Sequence, residues 1–133
     1  MARILISSGS EWEKLCGYSR AVRVGDLVEV SGTVAVNEQN EVVGQDCYTQ
    51  TKFILEKISK ALEEAGSCMN DVIRTRMYTT DISKFETISK AHAEVFRVIR
   101  PACTLVEVNK LVRKEFLMEI EVTAVICKLD SKK

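Results

Sequence analysis

The sequence has little that suits metal chemistry or disulfide crosslinking. Its 133 residues contain a single histidine, His92, and no two of its five cysteines stand in C-x-x-C spacing. Zinc sites are built from clustered cysteine and histidine, so no metal site is expected. The cysteine count is odd and no secretion signal accompanies it, so no disulfide framework is expected. We expect most of the cysteines to be small buried hydrophobic side chains.

Net charge and long apolar runs are also absent. Nineteen lysines and arginines balance 19 aspartates and glutamates, so nucleic acids and anionic membranes, which attract concentrated positive charge, are not favoured as partners. No apolar run approaches the roughly 20 residues that cross a bilayer. The first residues, MARILISSGSEWEK, become polar too early for a signal peptide. We therefore expect a cytoplasmic protein with no membrane partner.

The composition does supply enough apolar surface for a folded core. Hydrophobic residues make up 46% of the chain and charged residues 29%, which is usual for a globular protein. A chain of this length fits one domain with a sizeable core. No repeat or low-complexity linker interrupts the sequence. We expect a single domain over residues 1–133.

The first half of the chain predicts a β-hairpin followed by a helix. The stretch YSRAVRVGDLVEVSGTVAV is typical of two strands joined by a tight turn at Gly25-Asp26. From Gln45 to Ala65 the apolar residues recur at helical spacing, and Gly66 follows as a stop signal.

The second half predicts a strand, a helix and two further strands. DVIRTRMYTT is β-branched and alternating, which indicates a strand. A helix is predicted to begin at SKFE, where Ser83 and Glu86 have capping-box spacing, and to end before Pro101, the only proline. ACTLVEV and EFLMEIEVTAVICKL then predict the last two strands. The order β-β-α-β-α-β-β indicates an α+β fold, a mixed sheet with two helices on one face.

The two helices can cover only one face of this sheet. In the last strand Met118, Ile120 and Val122 belong to a wholly apolar face that suits the helices, and Glu119 lies on the opposite face. By alternation we expect Arg74, Arg76 and Cys103 to share the uncovered face with Glu119. This mixed surface is suited to a subunit interface with a ligand pocket. The alternative is a solvated antiparallel face.

Five segments in order carry a family resemblance: EVSGTVAVN, ALEEAG, DVIRTRMYTTDISKFETI, RPACTLVEV and MEIEVTAV. They resemble the YjgF/RidA family of reactive-intermediate (enamine/imine) deaminases, over nearly the whole chain. The resemblance implies a chorismate-mutase-like fold and a homotrimer whose sheets form a central barrel. It also implies three small-molecule clefts, each between adjacent subunits.

The resemblance implies a chemistry as well. The deaminase branch hydrolyses 2-imino and 2-aminoacrylate-type acids to 2-keto acids and ammonia, with no metal or organic cofactor. An arginine holds the substrate carboxylate, and a glutamate near the imine carbon handles water and protons. By position the catalytic glutamate falls on Glu119. The positions that contact substrate fall on Tyr18, Ser31, Gly32, Ser89, Cys103 and Leu105.

Cys103 is a departure from this pattern, because it stands where the deaminase branch has the arginine. A thiol cannot offer two charged donors, and losing a charge-assisted contact costs about 1.5–3 kcal/mol, roughly 10- to 150-fold in binding. One hypothesis is that Arg76 supplies the charge from the neighbouring strand. The alternative is that Arg76 forms a structural ion pair with Glu107 or Glu121.

Cys103, Glu119 and Tyr18 each have more than one interpretation. Cys103 is a nucleophile, a pocket wall or ordinary packing, and the first needs a base such as His92, which we expect on the other face of the sheet. Glu119 is a general acid/base or one half of a structural ion pair at an interface. Tyr18 stacks on a ligand or packs against the first strand.

The sequence thus predicts an enamine/imine deaminase-like hydrolase with an altered substrate, in which a small organic acid or imine is the partner. A non-catalytic ligand-binding or regulatory trimer is the main alternative. An endoribonuclease-type activity, a label that some relatives carry, is a weaker one, because neutral charge disfavours nucleic-acid binding.

Overall fold

Six strands and three helices make up the computed structural model, which describes residues 1–128. The strands are β1 Arg3–Ile6, β2 Ala21–Val24, β3 Leu27–Val34, β4 Val72–Thr79, β5 Ala102–Glu107 and β6 Met118–Val125. The helices are α1 Glu11–Cys16, α2 Cys47–Glu64 and α3 Phe85–Phe96, with short 3-10 turns at Met69–Asp71 and Ile82–Lys84.

The strands form one sheet in the order β1-β2-β3-β6-β4-β5. The β4–β5 pair is parallel and the other pairs are antiparallel. The predicted α+β fold with a mixed sheet is confirmed. The predicted element order lacked β1 and α1, because a four-residue, mostly exposed edge strand and a six-residue helix are too short to show a hydrophobic period.

Local signals place most of the boundaries. The hairpin turn lies at Gly25-Asp26 as predicted, with Val24 paired to Leu27 and Gly25 at a φ of 62°. α2 begins after Asp46, whose side chain accepts a hydrogen bond from the Thr49 amide. The predicted Ser83 cap of α3 is wrong. The side chain of Asp81 accepts a hydrogen bond from the Ser83 amide and caps a 3-10 turn, and this turn precedes the helix.

The core lies between the sheet and the helices α2 and α3. Met118, Ile120, Val122 and Ala124 of β6 are all fully buried, which confirms the predicted apolar face. They pack in one cluster with the α2 residues Ile54, Leu55, Ile58 and Leu62. Since burial of each such side chain contributes about 1.5–3 kcal/mol, this seam is a main stabilising contact of the fold.

The predicted face of Cys103 is wrong. In the parallel β4–β5 ladder Cys103 is paired with Thr75, which is fully buried and contacts His92 of α3. Arg76 is paired instead with Thr104. Paired residues share a face, so Cys103 lies on the helix side and Arg76 on the uncovered side. Alternation alone separates the two faces of β5 but does not say which one meets the helices.

The prediction that most cysteines are buried is also wrong, because Cys47 is buried and Cys16, Cys68, Cys103 and Cys127 are exposed. Within residues 1–128 the structure brings together no group of three or more side chains suited to a metal ion. No helix in the same range has the length and apolarity needed to span a bilayer.

Candidate functional site

A β-bulge in β3 creates the centre of the candidate site. In the β3–β6 ladder Val30 pairs with Val122, but Thr33 pairs with Ile120. Ser31 and Gly32 together therefore oppose the single residue Glu121. Such an extra residue bends the strand and redirects neighbouring side chains, and bulges are frequent beside active sites.

The carboxylate of Glu119 lies against Gly32 at this bulge. A Cβ built on Gly32 would collide with Glu119 Oε2, so only glycine leaves the carboxylate its place. Burial raises the pKa of the Glu119 carboxyl above its ordinary value; Arg20 lowers it and Glu121 raises it further. No donor within residues 1–128 forms a hydrogen bond to this carboxylate. It is a half-buried acid without a partner.

Arg20 also contacts the bulge, through the backbone of Gly32. Its Nη2 donates to the Gly32 carbonyl oxygen at 2.8 Å, and its Nε is buried without an acceptor among the described residues. Burial lowers the pKa of the guanidinium, which nevertheless stays charged at neutral pH. Glu119 and Arg20 thus converge on one residue, Gly32.

Tyr18 and Ser31 complete this group. The Tyr18 ring lies beside the Arg20 guanidinium, with 5.9 Å between the ring centroid and Cζ. Burial raises the pKa of the Tyr18 hydroxyl, so this group stays neutral and can donate a hydrogen bond. The Ser31 hydroxyl donates to the Ser19 carbonyl oxygen at 2.7 Å. No donor among residues 1–128 bonds to this hydroxyl oxygen, so its lone pairs can accept a hydrogen bond.

These residues line an open cleft of about 1390 Å³. Four of the sequence-predicted site residues lie in it, namely Tyr18, Ser31, Gly32 and Glu119. Lys57 of α2 lines it as well and donates to the carbonyl oxygens of Val34 and Val36 at 2.9 and 2.8 Å. Burial, with a smaller effect from Arg20, lowers the pKa of Lys57 to about 8.

The other predicted site residues do not line this cleft. Cys103 and Leu105 lie on β5, the strand at one edge of the sheet, and Ser89 lies on α3. Leu105 packs against the core, whereas Cys103 is exposed. Within one chain the predicted site is therefore divided between the bulge and the β5 edge.

Arg76 lies outside the cleft on the uncovered face of the sheet. Its Nη1 is 3.6 Å from Glu121 Oε2, and Tyr78 also donates to Glu121 at 3.1 Å. This is the ion pair that the structural alternative predicted. Arg76 does not lie beside Cys103, because the two side chains leave opposite faces of the sheet.

His92 lies on the helix-covered side of the sheet, as expected. Cys103 lies on that side too, so the expectation that the sheet separates the two residues is wrong. His92 Nε2 is 3.0 Å from the hydroxyl of Thr75, the ladder partner of Cys103. Burial lowers the pKa of His92. Within the described part of the chain, however, no hydrogen bond joins the Cys103 thiol to His92. The pairing that would activate a nucleophilic thiol is not formed.

Sequence reasoning missed two charged residues of the cleft. Arg20 stands two positions after Tyr18 in GYSRAV, and that spacing in an extended segment puts two side chains on one side. This spacing was sufficient to predict that Arg20 lies beside Tyr18 in the site. Lys57 had no signal, because its position on α2 resembles that of any half-exposed helical lysine.

Together these groups are suited to acid–base chemistry on an anion. A carboxyl group with a raised pKa transfers protons near neutral pH more readily than an ordinary glutamate. A guanidinium beside it binds carboxylate oxygens through paired N–H donors. The cleft therefore offers a proton-transfer group and an anion-binding group that both contact Gly32.

Comparison with known proteins identifies the family of the chain. The family described as "Endoribonuclease L-PSP" matches residues 9–126. A RutC family protein of Pyrococcus abyssi is 34% identical over 125 residues, 93% of this chain and 98% of the relative. The 3-aminoacrylate deaminase RutC of Acinetobacter baylyi is 35% identical over 107 residues, 80% of this chain and 84% of the relative. A YjgF/YER057c/UK114 family structure from Mycobacterium tuberculosis is 44% identical, with a TM-score of 0.87 and coverage of 94% of this chain and 100% of that one.

Proposed function

Because the chain belongs to the YjgF/RidA family, we propose that its cleft hydrolyses a reactive enamine or imine and releases ammonia. An enamine first becomes the imine by moving a proton from its nitrogen to its β-carbon. Water then adds to the imine carbon, the C–N bond breaks, and a carbonyl product and ammonia leave. Glu119 accepts a proton from the attacking water and delivers a proton to the departing nitrogen. The observation that carries the proposal is the unpartnered, half-buried Glu119 carboxylate at the Gly32 bulge.

We place the completed site between subunits of a homotrimer. The support is the division of the family's contact positions: Tyr18 and Glu119 lie at the cleft, whereas Cys103 and Leu105 on β5 and Ser89 on α3 lie outside it. β5 is paired only on its β4 side within the described residues. The β5 edge of one copy would then stand beside the cleft of the next.

The test is the fate of freshly generated 2-aminoacrylate. We expect the wild-type protein to accelerate the release of ammonia and pyruvate over the buffer rate, measured by a coupled assay. No acceleration together with tight binding of a small acid would favour the non-catalytic ligand-binding alternative, for which the missing arginine at Cys103 argues. Salt-sensitive RNA binding and cleavage would instead support the endoribonuclease alternative that the family's description names.

Gly32→Ala is expected to lower the deamination rate by about 10- to 100-fold, because a displacement of about 1 Å at a reacting group can cost 100-fold. The new methyl group would push the Glu119 carboxylate from its place. The thermal midpoint should change little, since the displaced atoms are the end of a flexible side chain. Gly17→Ala is the matched control: Gly17 faces open space at a φ of 76°, so its replacement strains the backbone but leaves Glu119 alone. An unchanged rate in Gly32→Ala would contradict the assigned geometry.

A further inference from the structure

Arg20 is a cleft residue whose charge the proposed reaction has not yet used. Only one of the five N–H donors of its guanidinium is engaged within residues 1–128, by the Gly32 carbonyl oxygen. The Nε–H is buried without an acceptor. A buried donor without a partner is costly, and such a group commonly has a water or a ligand as its missing partner. The guanidinium is therefore held in place by one hydrogen bond, and its other N–H donors can bind a ligand.

No carboxylate within the described residues forms an ion pair with Arg20. Glu13 and Glu119 are near enough to affect its titration, but neither lies within 4.0 Å of its nitrogens. Glu13 is occupied by the hydroxyl and amide groups of Ser7 and Ser8. The charge of Arg20 is thus available to an anion that enters the cleft.

The placement of Arg20 also matches the geometry of the reaction. Arg20 Nη2 contacts the carbonyl of Gly32, and the Glu119 carboxylate lies where a Gly32 side chain would be. A small acid that placed its carboxylate on the guanidinium would therefore have its other end near Glu119. The Tyr18 ring beside Arg20 closes one side of this space.

We propose that Arg20 binds the carboxylate of the substrate, and so performs in this chain the task that the family resemblance assigns to position 103. The inference rests on the proposed function and extends it: the substrate is an anionic imino or enamine acid, and its anion-binding group comes from the same chain as Glu119. The rival is Arg76, but Arg76 lies outside the cleft and already pairs with Glu121.

The test is a binding titration with pyruvate, the simplest 2-oxo acid, and with pyruvamide, its neutral counterpart. The single tryptophan of the chain, Trp12, lines the cleft and supplies a fluorescence signal. We expect wild-type protein to bind pyruvate more tightly than pyruvamide. Arg20→Met should weaken pyruvate binding by about 10- to 150-fold and remove the preference. Arg20→Lys should fall between them, because it keeps the charge but loses the planar fork.

Two further variants locate the effect. Arg74→Met removes a partly exposed arginine that donates to Thr104, and it should bind pyruvate like the wild type. The proposal is overturned if wild-type protein shows no preference for pyruvate, if Arg20→Met retains that preference, or if Arg76→Met loses binding while Arg20→Met does not. Circular dichroism shows whether each variant is folded. If Arg20→Met is unfolded, the pyruvate binding of Arg20→Lys decides whether Arg20 is the anion-binding group. Retained carboxylate binding without ammonia release would reject the proposed function and leave this inference standing.

Discussion

Glu119→Gln should slow ammonia release from 2-aminoacrylate by about 10²–10⁴-fold, the usual contribution of a general acid/base. Glutamine keeps the shape of the side chain but cannot accept a proton from water. The carboxylate forms no hydrogen bond within residues 1–128, so its removal breaks no structural contact. The loss should appear in kcat, and pyruvate should still bind, because binding is assigned to Arg20.

Glu121→Gln is the matched control for this substitution. Glu121 lies two residues further on the same face of β6 and contacts Arg76 and Tyr78 rather than the cleft. We expect its deamination rate to stay within about fivefold of the wild-type rate, the change that a surface ion pair of about 0–1 kcal/mol allows. Equal losses in both variants would show that charge on the uncovered face, and not proton transfer by Glu119, controls the rate.

The pH dependence gives a second readout of Glu119. Burial raises the pKa of its carboxyl, so the rate should fall as the pH drops through a value above that of an ordinary glutamate. Stability should move in the opposite sense, because the folded protein binds this proton more tightly than the unfolded chain. That stabilising contribution is fully present below the ordinary glutamate pKa and is lost as the pH rises through the raised value. Glu119→Gln should show neither effect.

Gln50→Leu should lower the free energy of unfolding by about 2–4 kcal/mol, because hydrogen-bonding groups left without partners cost about 1–3 kcal/mol each. Gln50 is fully buried on α2. Its Nε2 donates to the carbonyl oxygens of Gly44 and Glu115 at 3.0 and 2.9 Å, and its Oε1 accepts from the Leu117 amide at 2.8 Å. One side chain thus joins a loop, the helix and the entrance to β6. Urea unfolding measures the loss.

Thr51, the next residue on α2, is the contrasting case. It too is fully buried, but its hydroxyl has no hydrogen-bond partner within the described part of the chain. Thr51→Val should therefore leave the free energy of unfolding unchanged or raise it, because it removes a buried polar group that has no partner. If both substitutions destabilised the protein equally, packing rather than hydrogen bonding would be the cause.

Local patterns of the sequence were sufficient to predict most of the fold. The apolar side of β6, the helical spacing of α2 and the Gly25-Asp26 turn each depend on neighbouring residues, and each was confirmed. The face of Cys103 was not predictable in the same way. It is set by the pairing of β5 with β4, a contact between residues far apart in the chain. Both sides of β5 are largely exposed, so composition offers no contrast between them.

The candidate site likewise has features that the sequence predicted and features that it did not. The positions of Glu119, Tyr18, Ser31 and Gly32 in one cleft followed from the family resemblance, and the structure brings these four together. The role of Gly32 depends on a bulge, which breaks the alternation that sequence reasoning assumes. The Arg20 guanidinium becomes notable only when its unused donors can be counted in three dimensions.

A chain one residue shorter at the bulge would still be able to pair its strands. With Gly32 deleted, Ser31 would stand alone opposite Glu121, while Thr33 and Val34 would keep Ile120 and Glu119 as partners. The ladder would become more regular, but the gap that receives the carboxylate would close. A scan of single-codon deletions through β3 should therefore find one position at which the protein remains folded and its chemistry is lost. The fold would then tolerate either length of β3, whereas the activity would require the extra residue.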